Sequence, residues 1–285
     1  MTTGALHDFQ LARPRLFGVA YRMLGSATEA EDVVQDAWLR WERVTETVEN
    51  PTAYLTTITT RLALTALDSA RHRRETYIGP WLPEPVDTAA DPLLGAERAE
   101  ALSLAVLLLL ERLSPAERAA YVLREAFAYS FRDIAGVLEI SETNARKLAS
   151  RARAHLAEER GAVVGAGDRE AFIAAFQKAA EAGDLSSFER LLASSVAVVS
   201  DGGGVVSAAR RIVEGPAKVA QFVFGVIEKF AHDLVHVPVM ANGELALLGL
   251  RDGRPAALTT FDVTSEGATR ILFVLNPEKL RGFDR

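Results

Sequence analysis

LSPAERAAYVLREAFAYSFRDIAGVLEISETNARKLASRARAHL, residues 113–156, is the stretch on which the reading of this chain turns. Ser114, Pro115 and Glu117 supply an N-cap, a first-turn proline and a capping-box acid, so a helix starts there. Ser130 with Asp133 opens a short helix carrying Phe131, Ile134, Ala135 and Leu138. Glu139 and Ile140 form a turn and Ser141 caps the next helix, the pattern of a helix-turn-helix. The second helix projects Thr143, Asn144 and Arg146 near its N-terminal end, where base edges are met in a major groove. Lys147, Arg151 and Arg153 continue its basic character toward phosphates, with Glu142 the lone acid in this run.

Some ninety residues upstream, AYRMLGSATEAEDVVQDAWLRW at 20–41 has a different chemistry. Ala30, Val33, Val34, Ala37, Trp38 and Trp41 follow the spacing of one helical face. Glu29, Glu31, Asp32, Gln35 and Asp36 occupy the other. An acidic amphipathic helix is a poor ligand for DNA and a good one for a protein. Ser26 with Glu29 forms a capping box at its entry. A further helix runs from about Pro51 through Tyr54, Leu55, Ile58, Leu62 and Leu67 to the arginines at 71–74.

Charge places these motifs in an acidic body. The chain has 32 Lys and Arg against 38 Asp and Glu, a net charge of -6. Bulk electrostatics therefore does not draw it onto DNA. Two local clusters do the opposite: Arg61, Arg71, Arg73 and Arg74 in one, Arg146, Lys147, Arg151 and Arg153 in the other. Such a protein is expected to bind duplex DNA weakly alone and to need a scaffold that holds both clusters in register. Composition, 49% hydrophobic and 25% charged, is that of a globular protein with room for two or three domains. The absence of cysteine excludes disulfides and fits a reducing cytoplasm. MTTGALHDFQLARPRL lacks the basic and apolar segments of a signal peptide, and LSLAVLLLLERL is about half the length of a bilayer span. The expected location is cytoplasmic, without membrane contact.

Residues 76–95 hold four prolines and read as a linker, with Tyr77, Trp81 and Leu82 giving it adhesive surface. Trp81 packs on a neighbour, or WLPEP docks a domain. Residues 168–285 change character: helices lead into apolar runs separated by NG, DG and EG turns, an α+β pattern of antiparallel strands.

Taken together, the motifs at 20–41 and 113–156 and the helix ending in DSARHRR resemble regions two and four of a bacterial RNA polymerase sigma factor. With only these two regions and a short linker, the likeness is to the extracytoplasmic-function group, over residues 5–158. The C-terminal block resembles the SnoaL-like domain, a curved sheet around a helix with an apolar pocket. It is similar to the subgroup that carries this domain as an extension, marked by WLPEP, DGGGK and NPDKL motifs. Here these are WLPEP at 81–85, DGGGV at 201–205 and NPEKL at 276–280. Val205 replaces the motif's lysine and removes a positive charge.

The resemblance implies two all-α domains, the second a helix-turn-helix, and an α+β domain. Their bounds are 5–75 (region two), 76–95 (linker), 96–160 (region four) and 168–285 (SnoaL-like). It implies that Asp32, Gln35, Asp36 and Trp38 bind the beta-prime coiled coil of core polymerase. Arg61, Arg71, Arg73 and Arg74 meet minus-ten promoter DNA. Thr143, Asn144, Arg146, Lys147, Arg151 and Arg153 read the minus-thirty-five element beside the beta flap. Trp81, Pro83, Asp201, Gly202, Gly203, Gly204, Asn276, Pro277, Glu278 and Lys279 mediate regulation between the domains. For Asp201 through Gly204 a tight turn explains the sequence as well as docking does.

No cofactor or metal is expected. His232 and His236 are four residues apart on a segment entering a strand, with no third ligand near. They, Asp262 and Asp201 are the general-base candidates by residue type, but no catalytic motif stands with them. A pocket ligand, if bound, has no identity legible in sequence. The expected function is a sigma factor modulated by its C-terminal domain. The alternatives are a one-component regulator with a ligand-sensing domain and an enzyme with an appended helix-turn-helix.

Overall fold

The computed structural model describes residues 3–89, 102–157 and 165–284. These form two compact units. The first contains α1 (Thr3–Leu24), α2 (Ala27–Trp41), α3 (Pro51–Glu75), α4 (Leu104–Leu110), α5 (Pro115–Tyr121), α6 (Phe131–Leu138) and α7 (Glu142–Ala157). The second contains residues 77–89 and everything described after α7. The two helical blocks separated in sequence are thus one unit, and the proline-rich stretch groups with the C-terminal block. Of the ranges read from sequence, 90–101, 158–160 and 285 lie outside the described residues.

In the first unit, Ser26 Oγ accepts the Glu29 amide and Asn50 Oδ1 that of Ala53, starting α2 and α3. Ala30, Val33, Val34, Ala37 and Trp41 of α2 are buried. The apolar run becomes α4, with Leu104, Val106, Leu107, Leu109 and Leu110 buried. Among the described residues no helix is long and apolar enough to cross a membrane. The capping box at Ser114 and Glu117 is present, and a π turn at Val122–Ala126 ends α5.

One carboxylate ties these helices together. Helix α1 ends with carbonyls that lack helical partners. Arg118 Nη1 donates to the Met23 carbonyl at 2.6 Å, and Arg74 Nη2 donates to that of Leu24. Glu111 neutralises both: Arg118 Nη1 lies 2.7 Å from its Oε1, and Arg74 pairs with its Oε2. Arg118 is 3% exposed and so cannot exchange this partner for water.

The second unit has α8 (Ala166–Glu181), α9 (Leu185–Glu189), β1 (Leu192–Asp201), β2 (Val213–Glu214), α10 (Pro216–Val226), β3 (Val235–Ala241), β4 (Glu244–Arg251), β5 (Arg254–Thr264) and β6 (Gly267–Val274). A π turn, Ile227–Ala231, extends α10, and a 3-10 helix covers Pro277–Phe283. The sheet order is β2-β1-β6-β5-β4-β3. The sequence pattern suggests antiparallel strands throughout, yet β1 and β6 pair in parallel. The chain leaves β1, reaches β3 at the opposite edge through α10, and three reversals bring β6 back beside β1. Two of those reversals use left-handed pairs, Asn242-Gly243 and Asp252-Gly253, as two-residue hairpins require. Phe176 and Phe172 lie edge-on to Phe261 at 4.7 and 5.4 Å, and Phe188 to Phe176 at 5.1 Å, filling one end of the space between helices and sheet.

Replacing Glu111 with alanine leaves Arg74 and Arg118 inside the first unit without their carboxylate. A loss of about 3 kcal/mol is expected for breaking a buried pair from one side. Urea unfolding followed by circular dichroism measures it; an unchanged midpoint contradicts the assignment.

Candidate nucleic-acid interface and the Asp201 cluster

Helix α2 presents Asp32, Gln35, Asp36 and Leu39 to solvent in an i, i+3, i+4, i+7 line. Leu39 is 43% exposed although apolar. The sequence reading passed over it; its place on the polar face was the available signal. Trp38 is half-buried, its ring 4.9 Å from that of Phe9, and so edges the acidic line rather than standing in it. The neighbouring acids are engaged: Glu31 with Arg13 at 2.6 Å, and Glu29 with Arg73.

The arginines grouped at 61–74 do not share one surface role. Arg61 Nε and Nη2 donate to the carbonyls of Val137 and Gly136 at 3.0 and 3.2 Å, and Nη2 lies 3.0 Å from Glu139. It therefore closes the C-terminal end of α6. Arg73 is exposed and pairs with Glu29. Arg74 is 15% exposed and committed to Glu111 and Leu24, so its part is to hold the fold. The side chain of Arg71 lies outside the described residues. Tyr54, on the same helix, is 40% exposed and adds aromatic surface there.

The helix-turn-helix forms as its caps require. Ser130 Oγ accepts the Asp133 amide at 3.1 Å and Ser141 Oγ that of Asn144 at 3.2 Å. Glu139 turns the chain in the left-handed conformation, with φ 56°, a position where glycine is usual. Ala145, Leu148, Ala149, Ala152 and Leu156 bury one side of α7. Thr143, Asn144, Arg146, Lys147, Arg151 and Arg153 all stand on the exposed side. Arg146 also pairs with Glu142 and lies 4.9 Å over the Phe131 ring. Arg153 meets Glu125 at 2.5 Å and Arg151 meets Glu117 at 4.0 Å. Burial opposes the charge of Glu117, but hydrogen bonds from Ser114 outweigh it and hold the carboxyl below its usual value.

In the second unit WLPEP, DGGG and NPEKL converge. Asp201 ends β1 and is fully buried. Its Oδ1 accepts from Tyr77 Oη at 2.6 Å and the Gly203 amide at 3.0 Å. Its Oδ2 accepts from the Leu82 amide at 2.8 Å and from Lys279 Nζ at 2.7 Å. Lys279 also donates to the Leu82 carbonyl and lies 4.4 Å from the Trp81 ring centre. Asn276 Nδ2 donates to Tyr77 Oη at 3.0 Å, while its Oδ1 caps the helix at Glu278. Burial, then the bond to Asp201, pushes the Tyr77 phenol well above its usual value.

The glycines allow this approach. Gly203 and Gly204 have φ +61° and +75°, and a Cβ would come within 2.3 Å of Asn276 Nδ2 and 2.8 Å of Ile78 Cδ1 respectively. Pro83 is buried, Pro277 starts the 3-10 helix, and Glu278 faces Arg281 at 3.8 Å. Val205 is 70% exposed. Beyond the motifs, Val86 to Thr88 run along the end of β3. The Val86 amide donates to Asn242 Oδ1 and the Asn242 amide to the Val86 carbonyl, both at 3.0 Å. The Thr88 amide donates to the Met240 carbonyl at 3.0 Å. Tyr77, Leu82 and Asn242 were visible in sequence only as linker and turn residues. His232 and His236 border a cavity apart from this cluster, and Asp262 does not line it.

Residues 9–73 match the Sigma-70 region 2 family and residues 103–156 the Sigma-70, region 4 family. The ECF RNA polymerase sigma factor SigJ of Mycobacterium tuberculosis is 38% identical over 289 residues, covering 96% of this chain and 93% of the relative. A probable ECF RNA polymerase sigma factor, SigI, of the same species is 31% identical over 278 residues, with 94% and 92% covered. The crystal structure of the M. tuberculosis extracytoplasmic function sigma factor SigJ aligns with a TM-score of 0.79 at 34% identity, over 97% of this chain and 98% of that one. This chain belongs to the extracytoplasmic-function RNA polymerase sigma factors, in the form that carries a C-terminal SnoaL-like extension after the two sigma-70 regions.

Proposed function

We propose that the exposed line of α2 docks on the coiled coil of the polymerase beta-prime subunit, with Asp32, Gln35 and Asp36 meeting basic residues and Trp38 and Leu39 supplying apolar contact. Charge steers and registers such an interface, while aromatic and aliphatic area anchors it. The reading rests on one observation: α2 spends its apolar residues on its own unit yet leaves Leu39 exposed among acids.

With α2 docked, Arg61, Arg71 and Arg73 follow the minus-ten DNA, and exposed Tyr54 is placed to stack on an unpaired base. Arg61 must first leave Gly136, Val137 and Glu139. Thr143, Asn144 and Arg146 read base edges at the minus-thirty-five element near the beta flap, with Lys147, Arg151 and Arg153 on phosphates. This work takes place beside polymerase in the cytoplasm. The C-terminal unit acts on it by holding residues 77–89, the chain that joins the two sigma regions. The proposal gives this unit no turnover of its own, and of its general-base candidates Asp201 is committed to four donors in that hold.

Reversing charge with Asp32→Arg and Asp36→Arg together is expected to weaken binding to core polymerase at least tenfold. Both side chains are exposed, so the melting temperature stays within a degree or two. Fluorescence anisotropy with labelled protein reads the affinity, and binding that matches the unaltered chain overturns the docking face. Asp201→Asn leaves Lys279 buried without its carboxylate and is expected to loosen 77–89 by about 3 kcal/mol. In runoff assays with saturating core, transcript yield should then change at least twofold while core affinity is kept. Equal yield from both proteins removes the regulatory role of the Asp201 cluster.

A further inference from the structure

Helix α7 carries a single acid, Glu142, at its first position. A carboxylate there suits the positive end of the helix dipole, yet it stands beside the residues placed to face bases, where phosphates repel it. Its side chain is 46% exposed and pairs with that of Arg146, 61% exposed and one turn further along. An exposed ion pair is a weak restraint when it acts alone. Arg146 has a second one: its guanidinium carbon lies 4.9 Å from the centre of the Phe131 ring, close enough for the cation to be drawn to the aromatic face.

Phe131 is itself fixed in place. It is the first residue of α6, whose start is set by Ser130 accepting the Asp133 amide at 3.1 Å. The guanidinium of Arg124 lies 4.7 Å from the same ring, and Arg124 Nη1 donates to the Tyr129 carbonyl at 2.8 Å. Arg151 and Arg153 are held differently. Their acids, Glu117 and Glu125, lie outside α7 and draw them toward the rest of the unit. Arg146 takes its acid from the first turn of its own helix, so its guanidinium is kept at the end of α7 that meets base edges.

These restraints decide which ligand suits the side chain. A guanidinium already neutralised by a carboxylate has little field left for a phosphate. Nη2 donates to Glu142, and the other N–H groups of the planar fork remain for a pair of acceptors. In the major groove guanine offers two adjacent acceptors, O6 and N7, whereas adenine sets a donor beside its N7, thymine has a single acceptor and cytosine a donor. An arginine held in advance also loses less rotamer freedom when it binds.

We propose that Glu142 and Phe131 are positioning residues that hold Arg146 as the reader of one guanine in the minus-thirty-five element. The assignment rests on α7 entering the major groove there, as proposed for this helix. Holoenzyme assembled from the full chain and core polymerase is used to select duplexes from a library randomised across both promoter elements. Sequencing the bound fraction reads base preference position by position. One upstream position should favour guanine over adenine by about tenfold, and Arg146→Ala should flatten that position while preferences at its neighbours persist. Glu142→Gln and Phe131→Leu should each cut the guanine preference by about threefold or more, and Phe131→Tyr, which keeps the ring, should retain it. A role in helix stability alone would weaken every upstream position together. Either variant keeps the test open where the other fails to fold by circular dichroism. If holoenzyme selects no upstream element, the promoter reading of α7 falls and takes this assignment with it. If it selects one in which no guanine depends on Arg146, or in which either folded variant leaves the guanine preference intact, the promoter reading stands and this assignment is overturned.

Discussion

A carboxylate removed from water must be met by donors and cations, because an unpartnered buried charge is among the costliest defects a fold can carry. Each unit of this protein is organised about one such group. Glu111 gathers Arg74 and Arg118, which in turn satisfy the carbonyl end of α1. Asp201 gathers Tyr77, Leu82, Gly203 and Lys279, drawn from three distant stretches of chain. Apolar burial supplies most of the stabilising free energy in both units, but it is non-directional. The two acids give the direction: they decide which helix ends meet and where residues 77–89 lie against their own sheet.

The same requirement explains why neighbouring residues of similar type take different roles. Arg73 and Arg74 are adjacent, yet one is 59% exposed beside Glu29 and the other 15% exposed against Glu111. Helical geometry turns adjacent positions by about 100°, so an unbroken run of arginines cannot all face one ligand. On α7 the functional candidates fall instead on the side opposite Ala145, Leu148 and Ala152, and the whole set remains exposed.

Periodicity and capping made the helical elements legible: Ser26, Ser114, Ser130 and Ser141 each cap a helix that starts at the next residue. The NG and DG pairs likewise announced their hairpins. Partners at long separation left no such mark. Nothing within the local sequence links Asp201 to Tyr77, which lies 124 residues away, or Val86 to Asn242, at 156. The parallel pairing of β1 with β6 was illegible for the same reason, since it depends on how many times the intervening chain reverses. Alternation did mark the strands, but not the cavity that His232 and His236 border, whose lining comes from elements far apart in the chain.

Local ion pairing adds a further consequence for DNA recognition. Arg61, Arg73, Arg146, Arg151 and Arg153 stand against Glu139, Glu29, Glu142, Glu117 and Glu125 respectively. Exposed pairs of this kind are worth roughly 0–1 kcal/mol each and open readily. Their effect at longer range is larger than their strength suggests, because each acid cancels most of the field that its arginine projects toward a phosphate backbone. With a net charge of -6 behind them, these arginines attract duplex DNA weakly until something else holds it close. Salt weakens the ion pairs and the phosphate contacts alike, so on the proposed reading the discriminating contribution comes from the base-edge contacts of Thr143, Asn144 and Arg146. Contacts of that kind act only at hydrogen-bond distance, and on this reading they become selective once a scaffold has fixed α7 in the groove.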